Sequence, residues 1–328
     1  MRRRWLLVAV ILTAAPGCDN VSWGGGEISL QEPTALTPPD PAPEAPAESL
    51  LPIPDLPARP VLLAGARDGD KATLVVVGEV AGDALLSLPG GESAPGFLDH
   101  FSRTLLAPGT EVALFAEGVR VGRMTVAETS VDERHCTPRA QVTGTVELIP
   151  GASGASRLLG LTGTDALQRP LGTTRGETPQ YEHRVGALAV GMEAIRQVGA
   201  AWPESLVESR ADIQVLRLPE EPGPTVVATF MFSDRLAVGA PQSGAYSLFV
   251  MGAPEGGSYR SVYAAYRPVV TEGKGAPRYL SHLDLNGDGS TEILLDVFGN
   301  DTRWFASLAR RGGSWVRTFQ DPCGAPAE

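Results

Sequence analysis

The segment Leu283–Leu295 reads LDLNGDGSTEILL. Asp284, Asn286, Asp288 and Glu292 fall at positions 1, 3, 5 and 9 of one loop, with Gly289 at position 6 and Ser290 at position 7. Side-chain oxygens at alternate positions of a tight loop turn toward one centre. Calcium takes roughly six to eight hard oxygen ligands and tolerates irregular geometry. The expected ligands are therefore Asp284, Asn286, Asp288, the backbone carbonyl of Ser290, and Glu292, with Gly289 permitting the sharp turn. Calcium would rigidify the loop, because protein oxygens fill the positions and none is left for a substrate. The helix–loop–helix calcium motif does not apply: position 12 is Leu295 where that motif needs a bidentate Glu. The plainer alternative is that Asn286-Gly287 and Asp288-Gly289 form a turn-rich acidic hairpin without an ion.

Other chemistry is sparse. His100, His135, His183 and His282 show no HExxH or other ligand spacing. Ser243 lies in Pro-Gln-Ser-Gly and does not satisfy Gly-x-Ser-x-Gly. No Gly-rich phosphate loop precedes a helix. No catalytic residue is assigned, and a binding or structural role is expected. The alternative is an exported hydrolase, or an accessory subunit of one, whose site is assembled from distant positions. His135-Cys136 could act as a nucleophile pair only with Cys136 free.

The elements that must carry the loop read as β. In the C-terminal half, Thr225–Phe232, Ala245–Val250 and Gly256–Tyr263 form one strand series. Thr291–Phe298, Thr302–Ser307 and Gly312–Phe319 form another, and GGSYRSVY and GGSWVRTF occupy the same place in each. Each series reads as strand plus hairpin, hence antiparallel sheet. Two blade-like units are expected, at 225–263 and 284–319, within an α+β region of 165–328. A calcium loop that runs straight into a strand is similar to the FG-GAP/VCBS repeats, the calcium-loop blades of integrin-α-type propellers. The resemblance implies Asp284, Asn286, Asp288, Ser290 and Glu292 as ligands of a structural Ca2+. Two units are too few to close a propeller.

Ahead of these units, one helix is expected at about 179–201. Thr178 caps it, Pro179 suits its first turn, and Pro203 closes it. Val185, Leu188, Ala189, Met192, Ile195 and Val198 recur at three- and four-residue steps, a stripe expected to face the core. Residues 61–150 read as a small all-β domain, a barrel or sandwich. Its strands are expected at 72–80, 111–116, 118–126 and 140–149. The expected class is mainly β with one or few helices, a small barrel or sandwich followed by antiparallel blade-like units.

The N-terminus carries an address. Arg2, Arg3 and Arg4 precede the 11-residue apolar run Trp5–Ala15, the anatomy of an export signal and too short to span a membrane. Ala15-Pro16-Gly17-Cys18 resembles the lipobox of bacterial lipoproteins. That resemblance implies removal of residues 1–17, acylation of Cys18, and a place in the bacterial cell envelope, membrane-anchored through the lipid. The rival is cleavage after Ala15. Ten of the 28 residues from Pro33 to Pro60 are proline, so 18–60 reads as a lipidated end and an extended tether. Its alternatives are a spacer or a tail with no length requirement.

The 328 residues are 43% apolar, which excludes wholesale disorder. With 27 basic against 38 acidic groups, the net charge of −11 argues against a nucleic-acid surface. Expected partners are the membrane, through the N-terminal lipid, and another envelope protein or a polysaccharide. Three cysteines are too few for a disulfide scaffold. In an exported chain, Cys136 and Cys323 are expected to pair.

Overall fold

Alternation of small and branched apolar residues builds a closed antiparallel barrel at the start of the folded chain. The computed structural model describes residues 53–324 apart from 91–93, 95, 174 and 175. Cys18, the expected leader at 1–17 and most of the expected tether lie outside the described residues. The barrel uses β1 (Val61–Asp68), β2 (Lys71–Ala81), β4 (Glu111–Ala116), β5 (Val119–Asp132), β6 (Arg139–Leu148) and β7 (Arg157–Leu161). Their order is β1-β7-β4-β5-β6-β2, and β2 pairs back onto β1 to close the ring. The short β3 (Ala84–Leu86) adds to β2.

Leu63, Leu74, Val112, Leu114, Val121, Met124 and Val142 fill the inside. Helix α1 (Phe97–Leu105) adds Phe97 and Phe101, whose rings stack at 5.8 Å. Close strand approach at the β5–β6 contact needs Gly122, since a Cβ there would collide with the Glu147 carbonyl. Neither β1 nor β7 is anticipated by the strand pattern. Both are Gly-interrupted, and they become strands by closing the ring.

After helix α2 (Thr164–Gln168) and helix α3 (Tyr181–Val198), the short α4 (Leu206–Ser209) leads into two four-stranded meanders. The first is β8 (Arg210–Leu216), β9 (Thr225–Phe232), β10 (Tyr246–Glu255) and β11 (Ser258–Pro268). The turn α5 (Val269–Glu272) joins it to the second: β12 (Ala276–Leu283), β13 (Glu292–Phe298), β14 (Arg303–Arg311) and β15 (Ser314–Gln320). Each is a pair of hairpins with one strand more than the pattern anticipates, β8 and β12.

The meanders stack as layers. Leu294, Phe305 and Phe319 of the second pack on Leu62, Val75, Phe115 and Leu159 on the outside of the barrel. Ile293, Leu295, Val297 and Trp304 face Val227, Phe249 and Met251 of the first. The first meander's other face, with Val226, Phe230, Leu248 and Val250, receives α3. Strand β13 is buried along its whole length because it lies between two layers. The class is thus mainly β with few helices, a barrel followed by blade-like antiparallel sheets, and the sheets do not close a propeller.

Helix α3 corrects one expectation. Its cap is Gln180 rather than Thr178: the Gln180 amide donates to Nδ1 of buried His183 at 3.1 Å. The buried face is Gly186, Ala187, Val190, Gly191, Ala194 and Ile195. A Cβ at Gly186 would overlap the Tyr259 ring, and one at Gly191 would come within 2.7 Å of Phe230. Small residues let the helix settle onto these rings. Of the stripe expected to be core, Ile195 is buried, whereas Val185, Met192 and Val198 are exposed. Among the described residues, no helix is long and apolar enough to cross a membrane.

Candidate metal centre

Strand register sets the two ends of the acidic loop side by side: Leu283 pairs with Glu292 across β12 and β13. Between them the carboxylates fold the backbone around themselves. Asp284 Oδ1 accepts from the amides of Gly287 (2.6 Å) and Asp288 (3.1 Å), and Oδ2 accepts from Gly289 (2.9 Å). Asn286 Oδ1 accepts from the Asp288 amide at 2.9 Å, and Asp288 Oδ1 from the Ser290 amide at 2.8 Å. The Asn286 side-chain amide donates to Asp288 Oδ2 at 2.9 Å. These turns place Gly287 and Gly289 at φ of 81° and 90°, where glycine carries no steric penalty. The Ser290 amide holds the Asp288 carboxyl below the usual carboxylate range, helped by Asn286.

Glu292 is different. It is 2% exposed. One oxygen accepts from the Leu285 amide at 2.8 Å, and the other, Oε1, is buried without a partner. Burial pushes its carboxyl up to about 8, opposed by the Leu285 amide and reinforced by the negative charges of Asp284, Asp288 and Asp83. Glu292 also borders a void of about 10 Å³ walled by Leu62, Leu159, Leu283 and Leu285, room for about one water. Asp284, Asn286, Asp288 and Glu292 are thus gathered at one loop, with Ser290 between the last two. Among the described residues, no three His, Cys, Asp or Glu side chains converge as a ready-made metal cage. The loop oxygens are engaged with loop amides, which a cation would have to share.

The donor set suits a hard cation, being oxygen throughout. Burial leaves the second Glu292 oxygen without a partner and raises the carboxyl's proton affinity. Two supports were not legible in the sequence. Arg169, just after α2, donates to the carbonyls of Asp284 and Leu285 (2.9 Å to the latter) and lies over the Phe115 ring at 5.5 Å. Glu220, between β8 and β9, accepts from the Thr291 amide. The loop is therefore gripped from the barrel side and from the first meander. Neither residue has a local signature, since each acts across the chain.

A second cluster lies at the disulfide. Cys136, between β5 and β6, is bonded to Cys323 after β15, with Cα atoms 6.1 Å apart. The thiol is thereby spent, and His135-Cys136 is no nucleophile pair. Arg139 donates to the Val76 (3.2 Å) and Val77 (2.5 Å) carbonyls and to the Asp321 carboxylate, whose other oxygen accepts from the Phe305 amide at 2.8 Å. Burial pushes the Asp321 carboxyl up against the pull of Arg139. His135 stacks on Phe305 at 4.9 Å, with neither ring nitrogen hydrogen-bonded. Burial lowers it to about 3, helped by Arg303 and Arg139 and opposed by Asp132. Above this cluster is a half-open cavity of about 290 Å³, bordered by Val76, Leu88, Leu98, Pro138, Arg139 and Asp321.

The remaining histidines are scattered. His282 is buried with Nδ1 2.7 Å from Tyr279 Oη, and burial lowers it to about 4. His100 is exposed on α1, and Ser243 lies on an exposed connection between β9 and β10. Compared with known proteins, the chain matches no family model, no curated protein and no solved structure.

Proposed function

We propose that the chain is a lipid-anchored protein of the bacterial cell envelope, presenting a β-rich binding or structural ectodomain with one calcium-stabilised loop. The observation that carries the calcium reading is Glu292, a buried carboxylate with an unpartnered oxygen in a loop rich in oxygen donors. Asp284, Asn286, Asp288, the Ser290 carbonyl and Glu292 would hold the ion, and its charge would offset theirs. Because Arg169 and Glu220 tie the same loop to the barrel and the first meander, a rigid loop would stiffen the contact among three layers. The second meander would then be an FG-GAP-type blade with its loop, and the first a blade without one.

The anchor reading is supported by the order of the N-terminal residues: three arginines, an apolar run, Gly17-Cys18, then a Pro-rich tether. Loss of residues 1–17 would leave 24 basic against 38 acidic groups, a net −14. The partner would be another envelope protein or a polysaccharide.

Titration calorimetry with calcium tests the loop. The wild type is expected to give a binding heat that Asp288→Ala loses; no heat in the wild type reduces the loop to a turn. Fractionation tests the anchor. The wild type is expected with the membranes, and Cys18→Ser in the soluble fraction. A wild-type chain whose mature N-terminus is not Cys18 overturns that part alone.

A further inference from the structure

Strands β2 and β6 pair from Lys71 opposite Thr145 to Val75 opposite Gln141, and beyond that point the two no longer pair. The Arg139 guanidinium enters where they part, donating to the Val76 and Val77 carbonyls and to the Asp321 carboxylate. The half-open cavity of about 290 Å³ begins there. Val76, Arg139, Ala140 and Asp321 are its buried floor. Leu88, Pro89, Leu98 and Pro138 are half-buried and make its walls.

Covalent geometry holds this opening in shape. Thr137 and Pro138 directly follow Cys136, and Asp321 and Pro322 directly precede Cys323, so the disulfide fastens two of its sides together. Pro89, Pro138 and Pro322 each have a fixed φ. The other sides come from Leu88, after β3, and Leu98 on α1, both packed against the barrel core. A site formed in advance loses little further freedom when a ligand enters.

The lining also selects what can enter. The Arg139 Nη atoms are taken by Asp321 and the two carbonyls, and its Nε, without a partner, is buried away from the opening. The second Asp321 oxygen is taken by the Phe305 amide. An anion would have to compete with Asp321 for the guanidinium, and a cation with Arg139 for the carboxylate. Either would enter with its charge unmatched, which burial penalises. A sugar needs many donors and acceptors, and beyond the ion pair the polar side chains at the cavity are two hydroxyls, Ser87 and Thr137. The volume is about twice the roughly 150 Å³ of a cavity that holds benzene.

We infer that this cavity binds a small uncharged molecule, apolar over most of its surface and the size of two fused rings. Small-molecule sites are concave and mostly apolar, with a few fixed polar groups, and this one has that make-up. The inference goes beyond the lipid-anchor and calcium readings above and depends on neither.

The test uses residues 18–328 carrying Cys18→Ser, so that no acyl chain competes for the site. Equilibrium dialysis compares naphthylmethanol with naphthoate and naphthylmethylammonium, a neutral probe, an anion and a cation built on the same ring system. One equivalent of naphthylmethanol is expected to bind, and each ion is expected to bind at least about tenfold more weakly. Leu88→Trp and Leu98→Trp fill the cavity from two sides, and each is expected to abolish binding. Both positions are half-buried, so circular dichroism should be unchanged. No binding of naphthylmethanol, an ion bound as tightly as the neutral probe, or binding that neither variant weakens overturns the proposal. The three probes are compared on the unaltered cavity, so the ligand class is decided even where a tryptophan variant fails to fold.

Discussion

At the disulfide seam, Arg139 reaches from the barrel to Asp321 behind the second meander, and Phe305 lies beneath the guanidinium at 5.6 Å. At the acidic loop, barrel and meander meet again, but there Arg169 donates to the backbone carbonyls of Asp284 and Leu285 and to no carboxylate. Among the described residues, no ion pair reaches Asp284, Asp288 or Glu292. Both clusters join the same layers, yet one balances its charge from within and is closed by a covalent bond. The other accumulates negative charge and leaves a buried oxygen without a partner. The first joint also keeps buried nitrogens without partners, at Arg139 Nε and both His135 ring atoms, so what separates the two is the balance of charge and the covalent bond.

The largest expected effect breaks the first joint. The disulfide closes a loop with a sequence separation of 187 residues, and on the chain-entropy account its loss costs about 5 kcal/mol. Urea unfolding of Cys136→Ala with Cys323→Ala should show a correspondingly lower midpoint. If the two joints are independent, calcium affinity in that variant should be unchanged. Next comes Arg139→Met, which leaves Asp321 buried without a counter-charge and two carbonyls without a donor. The expected loss is about 4 kcal/mol, read by the same denaturation. A loss under about 1 kcal/mol would mean that the pair is not the tie described here.

A smaller effect sharpens the comparison from the other side. Calcium at about 100 times its dissociation constant should stabilise the wild type by about 2.7 kcal/mol, seen as a rise in Tm. Asp288→Ala should remove the rise, whereas Arg139→Met should keep it. A rise that survives Asp288→Ala would place the cation elsewhere.

The two joints were legible to different degrees. The acidic loop is local, so its oxygens are spelled out in nine consecutive positions from Asp284 to Glu292. The Cys136–Cys323 pair followed from there being only two other cysteines once Cys18 was set aside. The Arg139–Asp321 pair spans 182 residues, and no periodicity links such positions. Helix α3 misled for a reason of scale. Its largest apolar residues form the regular stripe, but the sheet below carries Tyr259 and Phe230, whose rings occupy the space that side chains would need. Small residues therefore face inward. Strands β1 and β7 were missed because barrel closure, not alternation, makes them strands.

The smallest expected effect concerns acid, and it comes from His135 at the disulfide joint. Its ring is lowered from 6.5 to about 3 by burial and by Arg303 and Arg139, with Arg134 adding slightly and Asp132 opposing. The unfolded chain therefore takes up a proton near its ordinary value, and the folded chain only near the lowered one. Stability from this group is present above about pH 6.5 and is lost progressively as pH falls toward about 3. By pH 5 the loss should be about 2 kcal/mol. Asp321 and Asp296, both raised by burial, shift stability the opposite way in acid, so the raw pH curve mixes signs. His135→Leu isolates the term, because the ring makes no hydrogen bond that the substitution would break. The variant should match the wild type within about 1 kcal/mol at pH 7.5 and exceed it by about 2 kcal/mol at pH 5. Equal losses in both proteins on going to pH 5 would show that the ring is protonated in the fold, and that this joint too leaves a charge to be met.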